Sequence, residues 1–330
     1  MNTFGKNFKI SIFGESHGEG VGVTVDGVTP GLPLRVDDFT KDIDRRRSGA
    51  EGTTPRRESD TPVLLSGVYK DHCTGAPLTI FFRNENTRSG DYSRFEAVPR
   101  PSHADYTGAL RFKGWNDPRG GGHFSGRLTL PLVAAGVVAK KMLSAQTGIP
   151  ADTVVNATIT ELGGLKDKSQ WKTALQNAAR DGDSLGAIVE CAAKVPAGFG
   201  EPFWDSVESL ISHAVFAIPG VRGIEFGDGF AASAMRGSAH NDPFGPDGLP
   251  AKNGSGGVNG GITNGAPLSF RVAFKPTSSI AGPQKTYDFQ KKEMTVLECG
   301  GRHDVCFALR APVVVEAVTA VVLADLTGKL

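Results

Sequence analysis

The order of the apolar segments is the strongest constraint on how this 330-residue chain can fold. Period-two and β-branched runs predict strands at residues 8–13, 21–28, 63–68, 78–82, 154–162, 187–195 and 268–274. Helical spacing with start and stop signals predicts helices at residues 36–47, 128–146, 203–218 and 312–326. The first opens on Asp37 and Asp38, sets Phe39 and Ile43 on one face, and ends in arginines before Gly49. The second has Pro131 in its first turns and stops at Gly148-Ile149-Pro150. Strands and helices do not alternate regularly, which argues against a parallel α/β sheet and for an α+β fold. No linker, charge block or internal repeat divides the chain, so residues 1–330 are expected to form one domain.

Composition narrows the function. Glycine is the outlier at 43 residues, nearly double the usual ~7%. Most of these glycines flank His, Arg, Asn or Ser, as loops shaped around a ligand do. Lys and Arg (36) balance Asp and Glu (35), so a general nucleic-acid or membrane surface is not expected. With 4 Tyr and 3 Trp, platforms for stacking bases are scarce as well. The arginines nevertheless cluster at Arg45-Arg46-Arg47, Arg56-Arg57 and Arg111/Arg119/Arg127, which suits a small polyanion. Four cysteines without a paired framework, no signal peptide and no apolar run long enough to span a bilayer predict a cytoplasmic protein.

Four glycine-rich blocks carry the chemistry. Gly14-Glu15-Ser16-His17-Gly18 follows a strand, where a His can present a proton near neutral pH. Arg45-Arg46-Arg47 ends a helix, where its charges either complement the dipole or leave to bind an anion. His103 lies in the segment Pro101 to Tyr106; Asp117 to Arg127, with three consecutive glycines, then leads into the long helix. Free N–H groups there could cradle an anion or cofactor. Residues 254–265 form a glycine-dense loop that runs through a strand into Lys275-Pro276-Thr277-Ser278-Ser279. In the last block Cys299, His303 and Cys306 could ligate zinc, but without the usual paired spacing. Arg302 could instead hold an anion beside Asp304 as base, or the two could be a plain ion pair. Neither a Rossmann fingerprint nor a P-loop is present.

Taken in order, GESHGEGVGVTVDGV (14–28), DRRRSG (44–49), RRES (56–59), RPSHADYTG (100–108), the triple-glycine block, GIEFGDGF (223–230), MRGSAHND (235–242), GGITNG (260–265), KPTSSI (275–280) and GRHD (301–304) resemble chorismate synthase of the bacterial, monofunctional kind. The resemblance implies a β-α-β sandwich with helices between antiparallel sheets, assembled as a cytosolic homotetramer. It implies conversion of 5-enolpyruvylshikimate 3-phosphate to chorismate by anti-1,4-elimination of phosphate, with reduced FMN required but not consumed. By the same resemblance His17 would protonate the departing phosphate, His103 would act around flavin N1, and Asp304 would help flavin N5 take the substrate proton.

Flavin contacts would come from His123, Phe124 and Ser125, from Ala239 and His240, from Gly260, from Lys275, Pro276, Thr277, Ser278 and Ser279, and from Arg302. Arg46 would hold NADP(H) or a substrate anion, and Arg47 and Arg127 the substrate; no metal is implied. NADPH would enter only indirectly, through flavin reduction by an external reductase. Family members commonly read Arg-Ser-Ser-Ala-Arg where this chain has His123 to Arg127. They also carry a second arginine near Gly52 that is missing here, and a proline where Val305 stands.

Overall fold

The computed structural model describes residues 2–54, 58–85, 94–299 and 303–327. Its first sheet is built from β1 (Thr3–Phe4), β2 (Lys9–Gly14), β3 (Gly20–Asp26), β4 (Val63–Ser66) and β5 (Leu78–Arg83) in the order β1-β2-β3-β5-β4. Its second uses β6 (Val155–Leu162), β7 (Ala187–Ala193), β8 (Val221–Phe226) and β9 (Leu268–Phe274) in the order β8-β9-β7-β6. Every pairing in both sheets is antiparallel. All seven expected strands are present within two residues of their predicted ends.

Between the sheets lie α3 (Thr129–Thr147), facing β3 and β5, and α7 (Ala311–Leu326), facing β6 and β7. The α+β sandwich with helices inside is therefore the observed architecture. Both helices are buried nearly all round, as a helix between two sheets must be. They approach closely at Gly136, where an added Cβ would lie 2.3 Å from the Cβ of Ala317. Contrary to the sequence reading, two helical stretches, Arg119–Thr147 and Phe307–Leu326, are long and apolar enough to cross a membrane by length and composition. Here that apolar surface packs against the sheets and the neighbouring helix.

Two acids and two cations form a matched cluster in this apolar layer. Glu316 of α7, 2% exposed, accepts from Arg45 at 2.6 and 2.7 Å, from Lys140 at 3.0 Å and from the Ala157 backbone at 2.9 Å. Asp42 completes the cluster with Lys140 at 2.9 Å and Arg45 at 3.2 Å. Removing Glu316 leaves the buried Lys140 and the more exposed Arg45 sharing Asp42 alone, so Glu316→Gln is expected to cost about 3 kcal/mol, read as a lower midpoint in chemical denaturation. An unchanged midpoint would show the cluster to be energetically idle.

Smaller elements depart from prediction for local reasons. The first helix begins as a 3-10 turn, Val36–Phe39, before α1 (Thr40–Arg46). The helix expected from residue 203 starts as α5 (Val207–Phe216), because Ser206 accepts the Ser209 N–H and fixes the N-terminus there. Further elements are α2 (Asp105–Arg111), α4 (Trp171–Arg180), α6 (Gly237–His240) and the hairpin β10 (Gln284–Asp288) with β11 (Glu293–Leu297).

Candidate active site

A cleft of about 1140 Å³ opens where the ends of α1, α3, α5, α7 and β9 meet. Arg46, Arg47, Arg100, Arg127, Arg222, Lys275 and Arg310 line it against Glu58, Asp60 and Asp304, so the wall is cationic. Phe216, Ile218, Pro219, Phe274 and Phe307 give it an apolar side. That combination suits a flat ring system carrying anionic groups.

Three adjacent arginines at the end of α1 go three ways. Arg45 turns into the core network already described. Arg47 stays at the rim, hydrogen-bonded to Asp44. Arg46 is 5% exposed and donates to Thr129 Oγ1 (3.0 Å), the Gly126 carbonyl (3.1 Å) and Asp60 Oδ2 (3.4 Å). Burial pulls its guanidinium down to about 9, while the Asp60 carboxylate pulls the other way. Arg127 also donates to Asp60, and to Asn84 Oδ1 at 3.1 Å and the Arg83 carbonyl at 3.2 Å. Asp60, 3% exposed, thus holds two arginines together, and the group presents a net positive charge to the cleft.

The triple glycine separates the two histidines. Gly120, Gly121 and Gly122 have φ of +61°, +80° and +52°, which glycine tolerates and other residues resist. A Cβ on Gly120 would lie 2.6 Å from Cδ2 of His17, and one on Gly121 3.4 Å from Cε1 of His103. The loop was expected to offer free N–H groups to an anion. Of the three, the Gly121 N–H bonds to the Pro118 carbonyl, and the Gly122 carbonyl accepts from Ser16 N–H. The loop also seats the two rings. His17 itself is 7% exposed and sits beneath Ser16 and Gly120, both of which line the cleft.

Asp304 is held at both oxygens, by the Thr54 N–H at 2.8 Å and by Arg310 Nη2 at 2.5 Å. Its partner is therefore Arg310; Arg302, like Arg56 and Arg57, lies outside the described residues. On the opposite wall Lys275 donates to the Ser102 carbonyl and the Ser278 hydroxyl, both at 2.5 Å, and burial followed by Arg222 lowers its pKa. Thr277 and Ser279 line the cleft beside them, whereas Pro276 is not among the lining residues. The Thr277 hydroxyl is buried and has no hydrogen-bond partner among the described residues. An unpaired buried hydroxyl on a cleft wall is a contact waiting for a ligand.

Other expected residues are placed differently. His123 lines the cleft, but its ring is engaged by the Gly14 carbonyl (2.8 Å) and Asn2 Oδ1 (3.2 Å). Phe124 lines the wall beside Gly108, and the Ser125 hydroxyl accepts the Arg127 N–H. Ala239, His240 and Gly260 do not line the cleft of their own chain. β8 leaves the cleft at Val221, and α6 follows its far end at Phe226, about 17 Å away at strand rise. Cys306 belongs to the main core and its thiol is pushed up to about 11 by burial, whereas Cys299 packs with Phe95, Val98 and Leu297. The two sulfurs of the zinc alternative thus sit in separate apolar clusters. Sequence reasoning missed Asp60, Arg100, Asp105 and Arg310. Arg100 and Asp105 flank His103 within one motif, and that proximity was the available signal.

The chorismate synthase family model matches residues 8–327. The chain belongs to the chorismate synthase family. The chorismate synthase of Chitinophaga pinensis is 54% identical over 327 residues, covering 98% of this chain and 96% of that one. Those of Dehalococcoides mccartyi and Aeropyrum pernix are 44% and 43% identical, each over 98% of this chain and over 96% and 92% of their own. A crystal structure of chorismate synthase aligns with a TM-score of 0.73 at 25% identity, over 99% of this chain and 93% of that one. The chain converts 5-enolpyruvylshikimate 3-phosphate to chorismate and phosphate. It is a carbon–oxygen lyase of the shikimate pathway to aromatic amino acids. The family uses reduced FMN.

Proposed function

We propose that this chain is a monofunctional, bacterial-type chorismate synthase whose cleft would hold reduced FMN together with the phosphorylated substrate. The observation that carries the reading is the convergence of Arg46, Arg127, His103, Asp304 and the Lys275–Ser279 segment on one cationic cleft, with His17 just under its wall. The residues fit the cofactor. The apolar side accepts a flat ring, the unpaired Thr277 hydroxyl offers a contact, and Lys275 and the arginines receive anionic groups.

When bound, the reduced flavin supplies electron-rich chemistry that eases loss of phosphate, with no net redox change. The chain supplies the rest. Arg46 and Arg127, fixed by Asp60, stabilise negative charge on the substrate without reorganising. His17 gives a proton to the departing phosphate, His103 holds a proton near flavin N1, and Asp304 acts as a carboxylate near N5. Arg47 at the rim meets the incoming anion. Phe124, Ser125, Ser278, Ser279 and Arg302 complete the flavin contacts, with His123 and Pro276 contributing through the backbone. NADPH serves only to reduce flavin on a separate reductase.

The whole chain, residues 1–330, acts as one unit within a cytosolic homotetramer. Ala239, His240 and Gly260 then serve the cleft of a neighbouring copy. The exposed Phe230 (82%) and Phe244 (73%) around them suit burial against such a copy. Light scattering is expected to give four chains per particle; a fully active monomer would remove this part of the reading. The central test is anaerobic: mix the protein with chemically reduced FMN and substrate, then follow chorismate absorbance and phosphate release. Equal amounts of both, with flavin still reduced, are expected. Turnover without flavin would overturn the cofactor assignment.

A further inference from the structure

His103 stands in a buried network that extends its proposed role. Its Nδ1 is 2.6 Å from Asp105 Oδ1 and 3.1 Å from Arg100 Nη2. The two neighbours ask opposite things of that nitrogen. A guanidinium only donates and needs a lone pair; a carboxylate only accepts and needs an N–H. The shorter contact is to the carboxylate. Arg100 Nη2 needs nothing from the ring either, because it donates to Asp105 Oδ1 at 2.8 Å while Nε donates to Oδ2 at 2.8 Å. Burial alone would raise Asp105, but the bonds from Arg100 and His103 outweigh it and hold the carboxyl well below the usual range.

Arg100 is itself immobilised. It lies 4.4 Å over the Phe95 ring and donates from Nη1 to Ser279 Oγ at 2.9 Å. Both the arginine and Asp105 are nearly excluded from solvent, with side chains 5% and 8% exposed. On the other side of the imidazole, the Cε1–Nε2 edge faces Gly121, where an added Cβ would already touch it at 3.4 Å from Cε1 and 3.6 Å from Nε2, and His103 lines the cleft.

We propose that Asp105, locked by Arg100, is a positioning residue that fixes His103 as the Nδ1–H tautomer and so reserves Nε2 for proton exchange in the cleft. The inference rests on the reading of His103 given above. A neutral His103 then offers a lone pair at Nε2, and its imidazolium offers a proton at the same atom. The opposite tautomer would put an N–H where the acceptor is needed.

Asp105→Asn separates these states. The amide has one acceptor oxygen, which the Arg100 guanidinium claims, so its NH₂ turns to Nδ1 and drives the ring proton to Nε2. The expected result is a fall in kcat of about 100-fold or more, as wrong-tautomer variants show elsewhere. KM should change by less than about threefold, because no substrate contact is removed. Nitrogen-15 NMR of labelled histidine reads the tautomer without any turnover. Wild-type protein is expected to show Nδ1–H, and the variant Nε2–H.

His103→Gln assigns the resonance and tests the underlying role. Wild-type turnover in His103→Gln would sink the role of His103. An inactive His103→Gln beside a fully active Asp105→Asn would overturn the positioning role of Asp105 alone. Should Asp105→Asn fail to fold, the wild-type spectrum still decides: an Nε2–H tautomer at His103 overturns the inference.

Discussion

His17→Ala is expected to lose about 10²–10⁴-fold in kcat, the range a positioned general acid contributes. The ring sits in the turn between β2 and β3, 7% exposed and packed against Gly120, so water does not readily replace it. Its influence reaches Asp117, whose carboxyl Arg119 chiefly holds below the usual range and His17 lowers further. Two explanations of a loss must be separated: a missing proton donor and a collapsed turn. A substrate analogue with a less basic leaving group needs less protonation, so the loss should shrink with it only if His17 is the donor. Retained binding of reduced flavin, followed by absorbance, should accompany the loss. A variant that turns over like wild type would remove His17 from the chemistry altogether.

The tests also mark how far the sequence could be read. The seven strands and the helices of the interior were legible because burial on one or both faces imposes a period on the residues. The hairpin β10–β11 was not: β10 alternates in exposure, but its inward positions are Gln284, Thr286 and Asp288, so no hydrophobic period shows in the sequence. Helix α4 was missed although Trp171, Ala174, Leu175 and Ala178 fall at helical spacing on one face; the stripe is only two turns long and half of it is alanine. The site was legible where reactive residue types sit between glycines, as at His17 and around residues 120–123. What stayed hidden was pairing. Successive residues on a helix point about 100° apart, so Arg45, Arg46 and Arg47 meet different surroundings, and no local pattern says which turns to Glu316 and which to Asp60. Asp60 carried no motif, because its meaning comes from Arg127, far along the chain; Arg310 lies six residues beyond Asp304, outside the glycine-bracketed block that drew attention to that carboxylate.

Gly120→Ala is expected to reduce kcat by about 100-fold although only one methyl group is added, because small displacements of a reacting group are costly. The new Cβ would lie 2.6 Å from His17 Cδ2, 2.7 Å from its Nε2 and 2.9 Å from Ser16 Oγ, closer than such atoms can stand. The backbone adds its own resistance, since φ is +61° and a left-handed alanine costs about 1–2 kcal/mol. That strain alone would lower stability modestly and leave the folded fraction nearly complete at 25 °C. An activity loss far exceeding the shift in thermal midpoint would therefore locate the damage at His17. Gly126→Ala is the matched control: the same loop, no positive φ, and nothing within 4 Å of the added carbon. It should turn over like wild type. Equal losses in both variants would mean that the loop needs flexibility throughout. A loss confined to Gly120 would mean that it acts as a spacer, holding His17 beneath the cleft at the distance its proton transfer requires.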